Sequence, residues 1–465
     1  MSSKALFASA FGTLMLAGCV NLAPDYQPGA LPVPADLPVS QAETETVQPL
    51  LWDDVVTSPA LKQVIGMALE ENRDLRVTAA NVRAARANLR VSRSALWPAL
   101  GASATIQDGG TFDEGSSGAA RFADSTYAQI GVSAWELDFF GRIRNLNDAA
   151  LQTYLATEEG QRAAKISLAG TVAETWMQLA ADYELLKLAN RTAESQTESL
   201  DLTRELFAAG TASELDVRRA SASVAQAQAQ AAEFEAAVRR DKNALQLLVG
   251  APVPAGLLEQ ASLFPAPVEL NLPVGQSSLV LLDRPDVRAA EARLRASNAN
   301  IGAARAAYFP SISLSGGVGV ASGSLDDLFN GNGTSGWTFA PAIDLPIFDF
   351  DRRRGNLDAA KAEADAALAA YQGTIQQAFR EVADAAAISD TIDRRLSALA
   401  QLTEDTQVTF ELSGERFRSG LDGYLTVLDA QREYYNAQQQ WILASLDNNL
   451  NSIALYKALG TWSEE

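Results

Sequence analysis

The sequence predicts a mainly α-helical protein with a small β part that crosses a membrane. Three chains close a twelve-stranded β-barrel in this reading, and a long twelve-helix α-barrel continues it. Three observations predict this. The same motifs recur in the same order about 210 residues apart. Apolar residues recur at three- and four-residue steps over stretches far longer than a compact domain needs. Four strand-like stretches lie between the helical ones, each near the ~9–11 residues of a tilted membrane strand.

Lys4 gives a short, weakly basic start, and a largely apolar run follows at residues 5–17. That run is too short to span a bilayer, which takes about 20 residues, but it suits the core of a signal peptide. It ends at Leu16-Ala17-Gly18-Cys19, where small residues before a cysteine look like a bacterial lipobox. In that chemistry the chain is cut before Cys19, and the thiol takes diacylglycerol while the new amino group is acylated. Each buried CH₂ contributes about 0.8 kcal/mol, so several acyl chains hold a protein firmly on a membrane. Cys19 is the single cysteine in the chain; a chance cysteine behind an ordinary signal peptide is the alternative. Prolines at 24, 28, 32, 34 and 38 then predict an extended segment, because proline fixes φ and removes backbone donors.

The duplication comes next. Leu96-Trp97-Pro98 matches Tyr308-Phe309-Pro310, and Asn72-Arg73-Asp74-Leu75 matches Arg284-Pro285-Asp286-Val287. Phe140-Gly141-Arg142 matches Phe350-Asp351-Arg352, and Phe207-Ala208-Ala209-Gly210 matches Phe417-Arg418-Ser419-Gly420. The halves end alike at Val249-Gly250 and Leu459-Gly460. The boundaries follow: a signal peptide at 1–18, a lipid-anchored extended segment at 19–58, a first repeat at 59–270 and a second at 271–465.

Each repeat reads helix, hairpin, very long helix, turn, helix. In the second repeat Leu368, Tyr371, Ile375, Ala378, Val382, Ala385, Ile392, Leu396 and Leu399 form one stripe of a helix spanning residues 351–418. At ~1.5 Å per residue that helix is about 100 Å long. Its counterpart spans 141–208. The strand pairs are expected at 101–107 with 127–138 and at 311–321 with 337–346. Their links, 108–125 and 322–336, are rich in Gly, Ser, Asp and Asn. Trp135, Trp337 and Phe339 suit an aromatic girdle; a solvent-exposed hairpin without membrane contact is the alternative. Four strands cannot close a barrel, and open edges in lipid cost several kcal/mol per unpaired group. Three chains supply twelve strands.

Composition excludes other functions. The net charge of −20 argues against a nucleic-acid partner, which needs clustered Lys and Arg. The chain has no histidine, the commonest metal ligand and general base. It carries no Gly-x-Ser-x-Gly elbow, P-loop or metal-ligand cluster. No catalytic residue, metal or soluble cofactor is expected; the covalent diacylglycerol and acyl lipid on Cys19 is the one attached group.

The sequence resembles the TolC-type outer-membrane efflux factors, in the lipoprotein (NodT) branch that serves RND pumps. The lipobox and Pro24-Asp25-Tyr26 carry the resemblance, with residues 69–75, 303–310, 416–420 and Leu428-Asp429-Ala430-Gln431-Arg432. It spans the whole chain. It implies a homotrimer in the outer membrane of a Gram-negative bacterium, lipid-anchored and with a large periplasmic part. Small toxic molecules or drugs pass to it from an inner-membrane RND transporter through a periplasmic membrane-fusion adaptor. It places the periplasmic aperture at Leu425, Asp429 and Arg432, which share a helical face. A ring of Asp429 carboxylates favours cations, and an Asp–Arg pair latches neighbouring helices; an ordinary i,i+3 surface pair is the alternative. It places adaptor docking at Gly210, Thr211, Gly420 and Leu421. The family often has tyrosine where this chain has Phe417, which puts a hydroxyl-based latch there in doubt. Arg219 and Ala222 occupy the aperture positions of the first repeat. Two rival readings are a channel for type I protein secretion and a lipid-anchored coiled-coil scaffold.

Overall fold

The computed structural model describes residues 20–37, 52–107, 125–268 and 277–459. Cys19, the lipobox and the β1–β2 link lie outside them. The repeat is visible in the element order. The first half runs α1 (Pro59–Glu71), α2 (Arg73–Ser94), β1 (Leu100–Gln107), β2 (Ser125–Leu137), α3 (Arg142–Ala208) and α4 (Glu214–Val249). The second runs α5 (Pro285–Ala306), β3 (Ser311–Ser322), β4 (Thr334–Asp344), α6 (Arg352–Arg418) and α7 (Tyr424–Leu459). Helices α3 and α6 each have 67 residues, and α4 and α7 each have 36.

The chain forms two compact units. Among the described residues the first comprises 20–30, 81–107, 125–158 and 289–371, and holds all four strands in one antiparallel sheet of order β1-β2-β3-β4. Register sorts its side chains into two chemistries. Trp337, Phe339, Pro341 and Ile343 of β4 share a face with Val318, Gly316, Leu314 and Ile312 of β3. Ile130, Val132, Trp135 and Leu137 of β2 join that face, as do Leu100, Ala102 and Ile106 of β1. The opposite face carries Ser103, Thr105, Gln129, Glu136, Ser313, Ala321, Thr338 and Asp344. Apart from Thr126, Ser322 and Ser335 at one end of the first face and Tyr127 on the second, one face is apolar and the other small and polar, the alternation of a strand between lipid and water.

The glycine run Gly316-Gly317-Val318-Gly319 has a structural cause. A Cβ on Gly319 would lie 2.4 Å from the Ala128 carbonyl oxygen, and one on Gly131 2.3 Å from that of Gly316. Strands β2 and β3 approach too closely at these points for any side chain. A bulge between Val132 and Trp135 adds to the bend; there the Ala134 amide donates to Ser315 Oγ at 2.9 Å.

Of the predicted extended segment, residues 20–29 are extended, as the prolines predict, and lie along α5, whereas Trp52–Val55 forms a helical turn and residues 38–51 lie outside the described residues. Asn298 Nδ2 donates to the Pro24 carbonyl at 2.9 Å and Arg305 to that of Leu22 at 3.1 Å. The Val20 amide donates to the Phe139 carbonyl at 3.2 Å. Gly302 makes room, since a Cβ there would sit 2.8 Å from Ala23. Tyr26 donates to Glu291 at 3.1 Å and lies 4.8 Å beneath the Arg295 guanidinium.

The second unit comprises, among the described residues, 31–37, 52–80, 159–268, 277–288 and 372–459. Its core joins Leu61, Val64 and Ile65 of α1 to Trp176, Met177 and Leu179 of α3, Leu245 of α4 and Ile453 of α7, all with almost no exposed surface. In this unit the predicted stripe on α6 is buried at Ile375, Ala378, Val382, Ala385 and Ile392. Among the described residues no helix is long and apolar enough to cross a membrane. The β3–β4 link departs from the expected plain loop: Leu325–Phe329 is a short helix capped by Ser324, whose hydroxyl accepts from the Asp327 amide.

Candidate functional site

The predicted aperture and turn residues all belong to the ends of the two helical hairpins, α3–α4 and α6–α7. Both hairpins turn in the same way. Gly210 has φ +77° and Gly420 φ +71°, left-handed conformations that glycine adopts without steric cost. Thr211 donates its amide to the Leu206 carbonyl and Gly210 to that of Phe207. Leu421 donates to Arg416 and Gly420 to Phe417. These are matched Schellman closures. The tips are exposed, Leu421 67% so.

The chemistry that secures each tip differs. Ser213 and Asp216 form a capping box at the start of α4. The matching position before α7 is Gly423, and there Arg416 binds Asp422 through two contacts of 2.6 and 3.1 Å. That hydrogen bonding holds the Asp422 carboxyl below the usual range.

Behind the tips an apolar knot ties the hairpins together. Leu200 of α3, Ala220 and Val224 of α4, and Tyr424, Val427 and Leu428 of α7 are buried against each other. Phe417 packs on this knot with its ring 5.5 Å from that of Tyr424. Phe417 therefore serves as packing, and the tyrosine-type latch has no hydroxyl at this position.

Leu425, Asp429 and Arg432 come together on the wall of a groove of about 550 Å³. Arg219 and Ala222, their first-repeat counterparts, line the same groove with Thr192 and Gln196. Asp429 and Arg432 pair at 3.5 Å with side chains 56% and 73% exposed. Water screens such a pair, which contributes about 0.2–1 kcal/mol. Within one chain the groove gathers one carboxylate, Asp429, and two guanidinium groups, Arg219 and Arg432. Sequence reading missed Gln431. It is buried, lines the same groove and donates to Ser195 Oγ of α3 at 3.3 Å, fixing the rotation of α7 against α3. Only its position between two predicted aperture residues could have signalled this.

No group of three potential metal ligands occurs among the described residues.

Comparison with known proteins agrees with the duplication. The profile of the family described as outer membrane efflux protein matches residues 64–251 and 277–461, one stretch in each repeat. The chain is 44% identical to the solvent efflux pump outer membrane protein SrpC of Pseudomonas putida, over 97% of each chain. It is 38% identical to the outer membrane protein OprJ of Pseudomonas aeruginosa, over 100% of this chain and 98% of that one. Among solved structures, the open state of the Neisseria gonorrhoeae MtrE outer membrane channel matches with a TM-score of 0.86 and 35% identity, covering 95% of this chain and 98% of that chain.

Proposed function

The chain belongs to the outer membrane efflux protein family, and on that premise we propose that three copies form the outer-membrane channel of a tripartite efflux system. The two-faced sheet carries the proposal. Its apolar face suits lipid, its polar face suits a wet lumen, and β1 and β4 leave open edges. Unpaired edges cannot persist in hydrocarbon, and three copies of the sheet close them in a ring of twelve strands. The exposed Trp337 and Phe339 suit an interfacial girdle, while Trp135 is half-buried.

Channel work needs no reacting groups, and the protein acts as a conduit, not an enzyme. Its cargo is small toxic molecules, by kinship with a relative named for solvent efflux. An inner-membrane RND transporter supplies that cargo through a periplasmic adaptor. The paired turns Gly210-Thr211 and Gly420-Leu421 are the adaptor's docking points, and Leu425, Asp429 and Arg432 form the aperture ring. Lipid on Cys19 anchors the N-terminus. The hydrogen bond from Val20 to Phe139 supports this, because it holds the residue after Cys19 just beyond the end of β2.

Deleting the gene should sensitise the parent strain to organic solvents and lipophilic drugs, and the purified protein should conduct ions across planar bilayers. Unchanged sensitivity together with silent bilayers would overturn the proposal. Retention of a secreted protein with unchanged drug sensitivity would favour type I secretion instead.

A further inference from the structure

We propose that the apolar corner after β4, residues 345–350, is the seat of the next protomer's lead-in to β1, with Phe350 stacked against Trp97 of the partner subunit. The occupant is a second copy of this chain, and the proposal rests on the trimer reading above.

The duplication places the two segments together. Within one chain, β2 of the first hairpin pairs with β3 of the second. Just outside the sheet, Phe140, which follows β2, stacks on Phe309, which precedes β3, at 4.7 Å between ring centroids. Phe350 matches Phe140, and Trp97 matches Phe309. The edge strands stand in the same relation: β4 matches β2, and β1 matches β3. Closing the ring sets β4 beside β1 of the partner subunit, and the repeat then carries Phe350 to Trp97 of the partner subunit as Phe140 is carried to Phe309. Both segments lie at one end of the sheet, because β1 starts there and β4 finishes there.

Exposure agrees. Ile347 is 89% exposed, Phe350 87% and Trp97 74%. The first-repeat corner is covered by its own chain. There Glu136 pairs with Arg142 and Asp138 with Arg144, and Phe140 lies on Phe309. A lipid belt alone accounts poorly for one bare corner beside one covered corner at the same end of the sheet. The bare corner is also held in shape. Arg353 binds Asp349 at 2.7 Å and donates to the Pro346 carbonyl at 2.6 Å. The Phe348 and Phe350 rings meet at 4.6 Å. Phe350 and Asp351 take φ values of +51° and +67°, which non-glycine residues adopt at a cost. A rigid corner displaying aromatic rings matches a preformed contact.

The test is oxidation of native membranes carrying Phe350→Cys with Trp97→Cys in the full-length protein. A covalently closed trimer is expected on denaturing gels, and neither single variant should give one. Phe140→Cys with Phe309→Cys is the control and should crosslink within one chain. Persistence of native trimers without the crosslink would overturn the seat and assign the corner to lipid. A wild-type protein with monomeric mass would instead overturn the trimer reading. Should the cysteine pair fail to assemble, Trp97→Ala and Trp97→Phe decide. The seat requires alanine to lower the temperature at which the trimer dissociates in detergent and phenylalanine to preserve it; equal behaviour contradicts it.

Discussion

The two repeats share a backbone plan but hold it with different chemistry, and the contrast separates what the fold requires from what each half has specialised. At the start of α2, Asn72 donates to the Leu248 carbonyl at 2.6 Å and accepts from the Leu75 amide at 2.8 Å. At the start of α5 the matching Arg284 donates to the matching carbonyl, that of Ala458, at 2.7 Å. It also binds Asp286 and Glu381 at 2.8 and 2.9 Å. Both sites anchor a helix start to the end of the repeat's last helix. The neutral side chain does this alone, and the charged one brings two carboxylates with it.

Removing each anchor sharpens the contrast. Arg284 is 8% exposed, and Arg284→Ala strands two carboxylates that are themselves partly wet. A cost of roughly 3 kcal/mol is expected, read as a fall in apparent melting temperature. Asn72→Ala loses a cap and one hydrogen bond, roughly 1–2 kcal/mol. Equal losses would mean that the carboxylates contribute nothing.

The strand-to-helix corners give a second contrast. Gly141 has φ +78°, and a Cβ there would meet the Val20 carbonyl oxygen at 3.3 Å. Asp351 accepts a similar backbone at φ +67°. Gly141→Ala should destabilise by roughly 1–2 kcal/mol. Asp351→Gly should be nearly neutral, as relief of strain offsets the added chain entropy. Denaturant midpoints check both.

A third contrast lies between the paired helices. Asp182 of α3, 7% exposed, lies beside Asp241 of α4; the matching residues in α6 and α7 are Ile392 and Asn451. Burial, then the Asp182 carboxyl, pushes Asp241 up to about 7, and Arg240 opposes this. Asp241 Oδ2 is buried with no donor facing it, the arrangement of two carboxyls sharing a proton. Because the folded-state value is raised, the folded protein keeps a proton that the unfolded chain releases near pH 4. Stability from this pair is therefore complete below about pH 4 and lost as pH rises to about 7. Asp241→Asn supplies a permanent donor and should flatten apparent melting temperature against pH over that window. An unchanged slope would place the titration elsewhere.

The smallest stability effect is expected at the aperture. Asp429→Ala with Arg432→Ala should shift melting by no more than an exposed pair allows, under about 1 kcal/mol, while raising single-channel conductance. Unchanged conductance would remove Asp429 and Arg432 from the aperture.

Much of the fold was legible because its signals are local or periodic. The long helices were expected at 141–208 and 351–418 and begin one residue later, at Arg142 and Arg352; glycine and the turn chemistry mark their ends. The stripe from Tyr371 to Ile392 follows from spacing alone. The short helix at Leu325–Phe329 was missed, since five residues carry no period and its mark is a single capping serine. The purpose of Gly317 and Gly319 was hidden, because the clash they avoid is with β2, nearly 190 residues away. The Asp182–Asp241 pair was equally hidden: each looks like one more surface acid until α3 and α4 meet. The sequence placed Leu425, Asp429 and Arg432 on one helical face and named Arg219 as the first-repeat counterpart, but that all four line one groove depends on how α4 packs against α7.

In the proposed channel the sheet's open edges close between three copies. The most direct test is electron microscopy of the detergent-purified mature protein with its mass in solution. Threefold hollow particles of three chains, with a twelve-stranded ring, are predicted; single-chain particles with open four-stranded sheets would contradict the account.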